Sequence, residues 1–492
     1  MGRFEERSSF RVKTSDPADV FVQIYDHIPE KIFRDDAIAG WFQDLQFWNI
    51  ADEVSEACLE DGVLDPAWIS KLIARGEVHE LGVLTGIDHA LSFADPWSTS
   101  TEQCALVYLR DRYLRSGQFN LNTDGALLPR RTYPGRPLSG KEKHHYFRVV
   151  RISPRVWGAS YTNSVWNSEN DPWVAPNDPV VVAFVPMLAS YDDVEVKLFK
   201  DVHGVMRYRL RPRPSVLERL PAILEAVERS GAQLAILPEG CLSDEILDAW
   251  RDLLTRSRPG WRSQLRWLLL GTGPVGGRGN RAILVDRMGR ELLRQDKLSD
   301  FTLTDWQVIS WGIPHSGAEV ASGTLFREDV PRDVVFHTMD GFLGRIGVLV
   351  CESLSRWPDG RSDEIVGPGP SHIFAPVFSK PIRPRGWEDV ASSQLSNLIG
   401  SWVLVSNSLV TTDKLRADGV ADAGYSCLVS GPWSEQRTRY DLAQTFATSS
   451  DHLSAAEVKE TDLREPGPIG PHRLPVVRSA LISESWFPEL DR

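Results

Sequence analysis

Cysteine is scarce in this sequence, long apolar runs are absent, and positive charge is in deficit. Five cysteines occur in 492 residues, Cys58, Cys104, Cys241, Cys351 and Cys427, odd in number and never paired as CxxC. Neither a disulfide framework nor a zinc ribbon is therefore indicated, and a reducing, cytoplasmic setting is expected. No apolar run approaches the roughly 18 residues of a spanning helix, so no membrane association is expected. The opening MGRFEERSSF has no apolar h-region and no myristoylation pattern, so neither leader nor lipid anchor is expected. His144 and His145 stand far from any cysteine or acid at ligand spacing, so no metal site is expected. The formal net charge of −12 argues against a protein built chiefly to bind nucleic acid. One local exception lies between Arg130 and Arg155, where Lys and Arg crowd around a single acid, Glu142. A solvated face or a contact to acidic parts of the same chain is the favoured reading there, ahead of a phosphate-binding surface.

What is present is a soluble, globular composition, 42% hydrophobic and 25% charged, in a chain long enough for two or three domains. Residues 17 to about 115 carry apolar positions at three- and four-residue spacing, as in DPADVFVQIYDHI and DPAWISKLIARGE, and read as helices. From 116 to 179 the periodicity fades, and NSENDPWVAPNDP marks the best domain boundary. We expect a mainly helical N-terminal domain over 1–175, ending in a Trp/Arg-rich linker. After it, VVVAFVPML is a continuous apolar run, as a strand covered on both faces requires. SVLERLPAILEAVERSG, AQLAILPEG and SDEILDAWRDLLTRS then alternate helix, strand and helix, and VDRMGRELL reads as a hairpin. The fold class is α/β, a layered domain over 179–460, followed by a Pro-rich extended tail over 461–492.

Three polar residues sit at or just past the ends of apolar runs: Glu239 after LAILP, Lys297 after LLRQD, and Cys351 after IGVLV. Ionisable groups at strand ends recur in active sites, because the sheet fixes them while the adjoining loop opens space for a substrate. In this order and with these flanks the chain resembles the nitrilase (carbon–nitrogen hydrolase) superfamily. The matching passages are AILEAVERSGAQLAILPEG, LLLGTGPVGGRGNRAILVDRMGRELLRQDKL, GRIGVLVCES, the segment from Trp387 through a helix to Asn407, and GYSCLVSGPW. They span about 280 residues. The first 175 match no family.

The resemblance implies a four-layer α-β-β-α sandwich and a thiol-dependent hydrolase of non-peptide, amide-type C–N bonds (EC 3.5 class). In that reading Cys351 is the nucleophile, Glu239 the general base and Lys297 the oxyanion stabiliser, with no cofactor. The family's second glutamate, about eight residues past the lysine, is missing, so Asp305 or Glu319 is expected in its place, with absence of the role as a third alternative. Glu352, Trp387 and Asn407 are expected to face substrate. The residues after Cys351 match neither the Cys-Trp-Glu of nitrilases nor the Cys-Arg-Asp of aliphatic amidases, so amide cleavage is favoured over nitrile cleavage. The chemistry stands without the name: a thiol near pKa 8.5 needs a base at neutral pH. A small-molecule amide and a homo-oligomer are the expected partners. Two alternatives remain open. One is a binding or assembly module in a larger complex, nucleic-acid or defence-related; the other is acyl transfer from the thioester to an amine.

Overall fold

The computed structural model describes residues 10–34, 41, 44–97, 104–121, 124–131, 143–166, 180–257, 263–312, 314–332, 334–357, 367–411 and 425–431. It also describes the backbone of strands Gln444–Thr448, Ala455–Glu457 and Val477–Leu481.

The helices begin where the sequence places caps. The Asp16 carboxylate accepts from Ala18 and Asp19 N–H at the start of Pro17–His27, and Ser243 Oγ accepts from Ile246 N–H at the start of Asp244–Arg256. Helices Leu45–Asp61 and Glu77–Ala94 touch backbone to backbone, since a Cβ at Gly86 would lie 2.4 Å from the Ala51 carbonyl oxygen.

Two seven-stranded sheets carry the rest. In the first, strands Glu291–Asp296, Arg281–Asp286, Trp267–Gly273, Leu234–Ile236 and Val180–Phe184 lie side by side. The second sets Tyr425–Ser430, Trp402–Asn407, His372–Val377, Gly344–Val348, Phe336–Gly341 and Tyr161–Val165 in order. Period-two alternation sorts their side chains. Val180, Val182 and Phe184 from the first sheet share one core with Ile346, Val348, Phe374, Trp402 and Leu404 from the second. Ala183 and Ala235 point to the other side, under helices Leu220–Arg229 and Asp244–Arg256. Both faces of these strands are apolar, which explains their continuous apolar runs.

The helices Pro17–His27, Leu45–Asp61 and Glu77–Ala94 contribute Phe21, Phe47 and Leu84 to one apolar cluster that also holds Ile373, Ala375, Val403 and Val405 of the second sheet, and helix Trp387–Ile399 packs directly on the strand Trp402–Asn407. The expected linker supplies Tyr161–Val165, which runs parallel to Phe336–Gly341 as the edge strand. Asp340 fastens the junction: its carboxylate takes Arg345 Nε at 2.8 Å, Arg131 Nε at 2.9 Å and the Tyr113 hydroxyl. Burial alone would raise the Asp340 carboxyl, but Arg345 and Arg131 outweigh it and hold it below the usual range. Within the stretch expected to be an extended tail, Val477–Leu481 pairs in parallel with Val180–Phe184.

The basic stretch is spent largely on internal partners. Arg131 pairs with Asp95 and Asp340, Arg151 with Asp26 at 2.8 Å, and Lys143 Nζ donates to the Ile28 carbonyl at 2.7 Å. Arg136, Lys141 and the side chains of His144 and His145 lie outside the described residues. Among the described residues, no helix is long and apolar enough to cross a membrane.

A smaller five-stranded sheet completes the architecture beside the strand ends: Thr302–Thr304, Leu325–Glu328, Met206–Pro212, Val194–Lys200 and His315–Gly317.

Candidate active site

Each ionisable group of the site stands where regular structure stops. Leu234–Ile236 gives way to Leu237-Pro238, whose proline has no N–H for the ladder, and Glu239 follows, bridged singly to Thr272. Strand Trp267–Gly273 makes room by an irregularity between Leu269 and Thr272. Gly271 sits there at φ 73°, and a Cβ on it would strike the Pro238 carbonyl oxygen at 2.1 Å. Lys297 follows the strand Glu291–Asp296, and Glu328 ends Leu325–Glu328 of the small sheet. Gly344–Val348 runs on through Leu349 and Val350 to Cys351, which caps the one-turn helix Glu352–Ser355.

Glu239, Lys297 and Glu328 are only 4%, 2% and 3% exposed, so their charges must answer one another. Lys297 Nζ lies 2.9 Å from Glu239 Oε1 and 2.7 Å from Glu328 Oε2. Asn280 Nδ2 donates to Glu239 Oε1 at 2.7 Å and to Glu328 Oε1 at 2.6 Å, so one amide holds both carboxylates. Backbone donors complete the shell, Phe378 N–H to Glu239 Oε2 at 3.0 Å and Phe301 N–H to Glu328 Oε2 at 3.1 Å.

Two carboxylates around one ammonium set the electrostatics. Burial opposes the charge on Lys297, yet Glu239 and Glu328 outweigh it and raise its pKa above the ordinary lysine value. Burial raises Glu328 against the pull of Lys297, and Glu239 adds to the rise. The Cys351 thiol is pushed well up, by burial first and then by the Glu239 charge, while Lys297 and the Phe378 N–H pull the other way. For the sulfur to attack, a base must take the proton of the thiol.

The Cys351 backbone is strained, at φ 44° and ψ −108°; among the described non-glycine residues only Arg385 shares a positive φ. Neighbouring hydrogen bonds hold it there. Cys351 N–H donates to the Pro376 carbonyl at 3.0 Å, and Leu354 N–H to the Cys351 carbonyl at 2.8 Å. Ser353 ties this turn to the lysine loop, its Oγ accepting from Leu298 N–H at 3.0 Å and Ser299 N–H at 3.1 Å.

Glu239, Lys297, Glu328 and Cys351 all line one cavity of about 540 Å³. Glu352 and Trp387 also line it. Three expectations need correction. Asp305 opens a surface helix, Asp305–Trp311, and accepts from Gly323 N–H at 2.8 Å, while Glu319 is exposed; neither lines the cavity. The second carboxylate at the lysine is Glu328 instead. Asn407 is fully buried and does not line the cavity; its amide binds Ser379 and Lys380, whose loop forms part of the wall. It positions the loop rather than facing it. Cys241 is fully buried and does not line the cavity.

Sequence reasoning missed Glu328 because helix Asp305–Trp311 and strand His315–Gly317 intervene, stretching the distance from Lys297. The signal available was LFRE, an alternating strand ending on an acid. Asn280 lies within the matching passage but had no role there, and Ser353 gave no signal.

No family model and no curated protein matches the chain. Solved structures do. An amidase from Nesterenkonia sp. is similar at 16% identity over 49% of this chain and 83% of its own, with a TM-score of 0.28. A cysteine-to-alanine mutant of the Nesterenkonia AN1 amidase, described as from the nitrilase superfamily, gives 16%, 49%, 83% and 0.28 in the same order. Nit3 of Saccharomyces cerevisiae, described as a member of branch 10 of that superfamily, gives 13%, 50%, 85% and 0.28. The structural matches are to nitrilase-superfamily proteins. They span about half of this chain.

Proposed function

We propose that this protein is a hydrolase of amide-type carbon–nitrogen bonds that works through a thioester on Cys351. The observation that carries the reading is the cluster itself: a strained cysteine, a buried lysine and two buried carboxylates converging on one cavity from separate sheet segments. The paired sheets with helices outside support the four-layer α-β-β-α arrangement of the nitrilase superfamily.

Glu239 takes the proton of the Cys351 thiol, and the sulfur bonds to the amide carbon. The carbonyl electron pair moves to oxygen, where Lys297 stabilises the charge. Cys351 N–H is committed to Pro376, so the next backbone donor along the turn is Glu352 N–H. Collapse of the intermediate breaks the C–N bond, and Glu239 returns its proton to the leaving nitrogen. Water then loses a proton to Glu239 and attacks the thioester. The C–S bond breaks, and the thiol recovers its proton as the acid departs. Glu328 and Asn280 hold Lys297 and Glu239 in register through both halves.

Intact mass after incubation with simple amides tests the assignment. An acyl adduct on the wild-type chain, absent with turnover from a folded Cys351→Ala variant, is the expected result. Full amide turnover by Cys351→Ala would overturn it. Product analysis with added amines distinguishes hydrolysis from acyl transfer.

A further inference from the structure

We propose that the amide taken by this site carries a bulky apolar substituent, an alkyl chain of several carbons or an aryl group, seated against the five-stranded sheet. The inference rests on the thiol-hydrolase reading and names its substrate class.

The strand Met206–Pro212 carries the main observation. Its sequence alternates, and Tyr208 and Leu210 line the cavity. Arg207, Arg209 and Arg211 fall on the opposite face, paired with Asp201 at 3.0 Å, Asp329 at 2.6 Å and Glu195. The charge of this strand is thus locked outside and its apolar side turned to the site. The neighbouring strand repeats the arrangement. Val196 lies directly across from Leu210 in the antiparallel register and also lines the cavity, while its neighbours Glu195 and Lys197 do not. Leu303, Phe301 and Trp311 extend the same wall. The sheet that delivers Glu328 to Lys297 therefore also delivers an apolar surface beside it.

An acetamide would leave most of this space unused. A cavity of about 540 Å³ falls within the range that holds drug-sized ligands. An apolar wall with few hydrogen-bonding groups gains from displacing water by hydrocarbon. Each buried methylene contributes about 0.8 kcal/mol, or about fourfold in kcat/KM. From acetamide to hexanamide the gain is about two hundredfold on the same basis.

Two substrate series test this on the full chain: acetamide, butanamide, hexanamide and 3-phenylpropanamide, and the matching N-alkyl acetamides. Ammonia or amine release gives kcat/KM, and intact mass reports acylation of Cys351. The expected result is a rise of about fourfold per methylene in at least one series. Leu210→Asn is expected to lower the hexanamide-to-acetamide ratio about tenfold, by placing an amide against the chain. The isosteric Val196→Thr, across the ladder, is expected to lower it about threefold, and serves should Leu210→Asn not fold. Acylation of Cys351 with both series flat or falling overturns the inference and leaves the hydrolase reading standing. Neither acylation nor ammonia or amine release with any amide of either series overturns both.

Discussion

Replacing Glu328 by glutamine keeps the side chain's shape and removes one of the two negative charges that hold Lys297. The hydrogen bonds that Glu328 accepts include those from Asn280 Nδ2 at 2.6 Å, Lys297 Nζ at 2.7 Å and Phe301 N–H at 3.1 Å. The single glutamine oxygen can keep the lysine and the Phe301 N–H. Its NH2 group then faces the Asn280 NH2, donor against donor. A charge-assisted bond becomes a neutral one and another is lost, a change of about 3 kcal/mol among side chains that are almost fully buried. Spent on the placement of Lys297, that lowers kcat about a hundredfold. Asp305→Asn and Glu319→Gln stay within about twofold, because both residues are on the surface. A second readout separates electrostatics from structure. Glu328 helps hold the Cys351 thiol up, so alkylation of Cys351 by iodoacetamide should shift to lower pH in Glu328→Gln. The measurements are kcat on a responsive amide, the pH profile of alkylation, and circular dichroism to show that the variant folds. A folded Glu328→Gln within threefold of wild type, or an equal loss in Asp305→Asn or Glu319→Gln, would refute the reasoning.

Two further predictions concern stability and positioning. His372 is fully buried on the central strand His372–Val377, and burial lowers its pKa to about 3. Stability from this neutral histidine is present above pH 6.5 and is lost as pH falls toward 3, because only the unfolded chain gains the proton. Denaturant titrations should therefore show wild type losing about 2 kcal/mol more than His372→Leu between pH 7 and pH 5; equal losses would show that His372 does not titrate this way. Ser353→Ala strips the acceptor from Leu298 and Ser299 N–H, a cost of about 1–3 kcal/mol for each buried donor. It should lower both the melting temperature and kcat, and Ser353→Thr, which keeps the hydroxyl, should restore part of each; no recovery in Thr would count against the hydrogen bonds as the cause.

The inner strands of the two main sheets, such as Val180–Phe184, Trp267–Gly273 and Trp402–Asn407, were legible because each is a short apolar run bounded by turn signals, and burial on two faces leaves that imprint. The helices over Pro17–His27, Pro66–Ile73 and Asp244–Arg256 were legible from their Asp and Ser caps and spacing. Tyr161–Val165 was not, since its pairing with Phe336–Gly341 joins segments far apart in the chain, and nothing local records a parallel partner. Glu328 escaped for a related reason. A spacing counted along the chain is broken by inserted elements, whereas distance in the fold is not.

Local order in the chain determined where strands end, and so where Glu239, Lys297 and Cys351 would be displayed, because apolar pattern and turn chemistry act over a few residues. Tertiary structure alone decided which carboxylate joins Lys297, that the N-terminal helices share an apolar cluster with the second sheet, and that an apolar wall adjoins Cys351. Those outcomes depend on which surfaces meet when the sheets pack, and packing partners are chosen by shape and burial across the whole molecule.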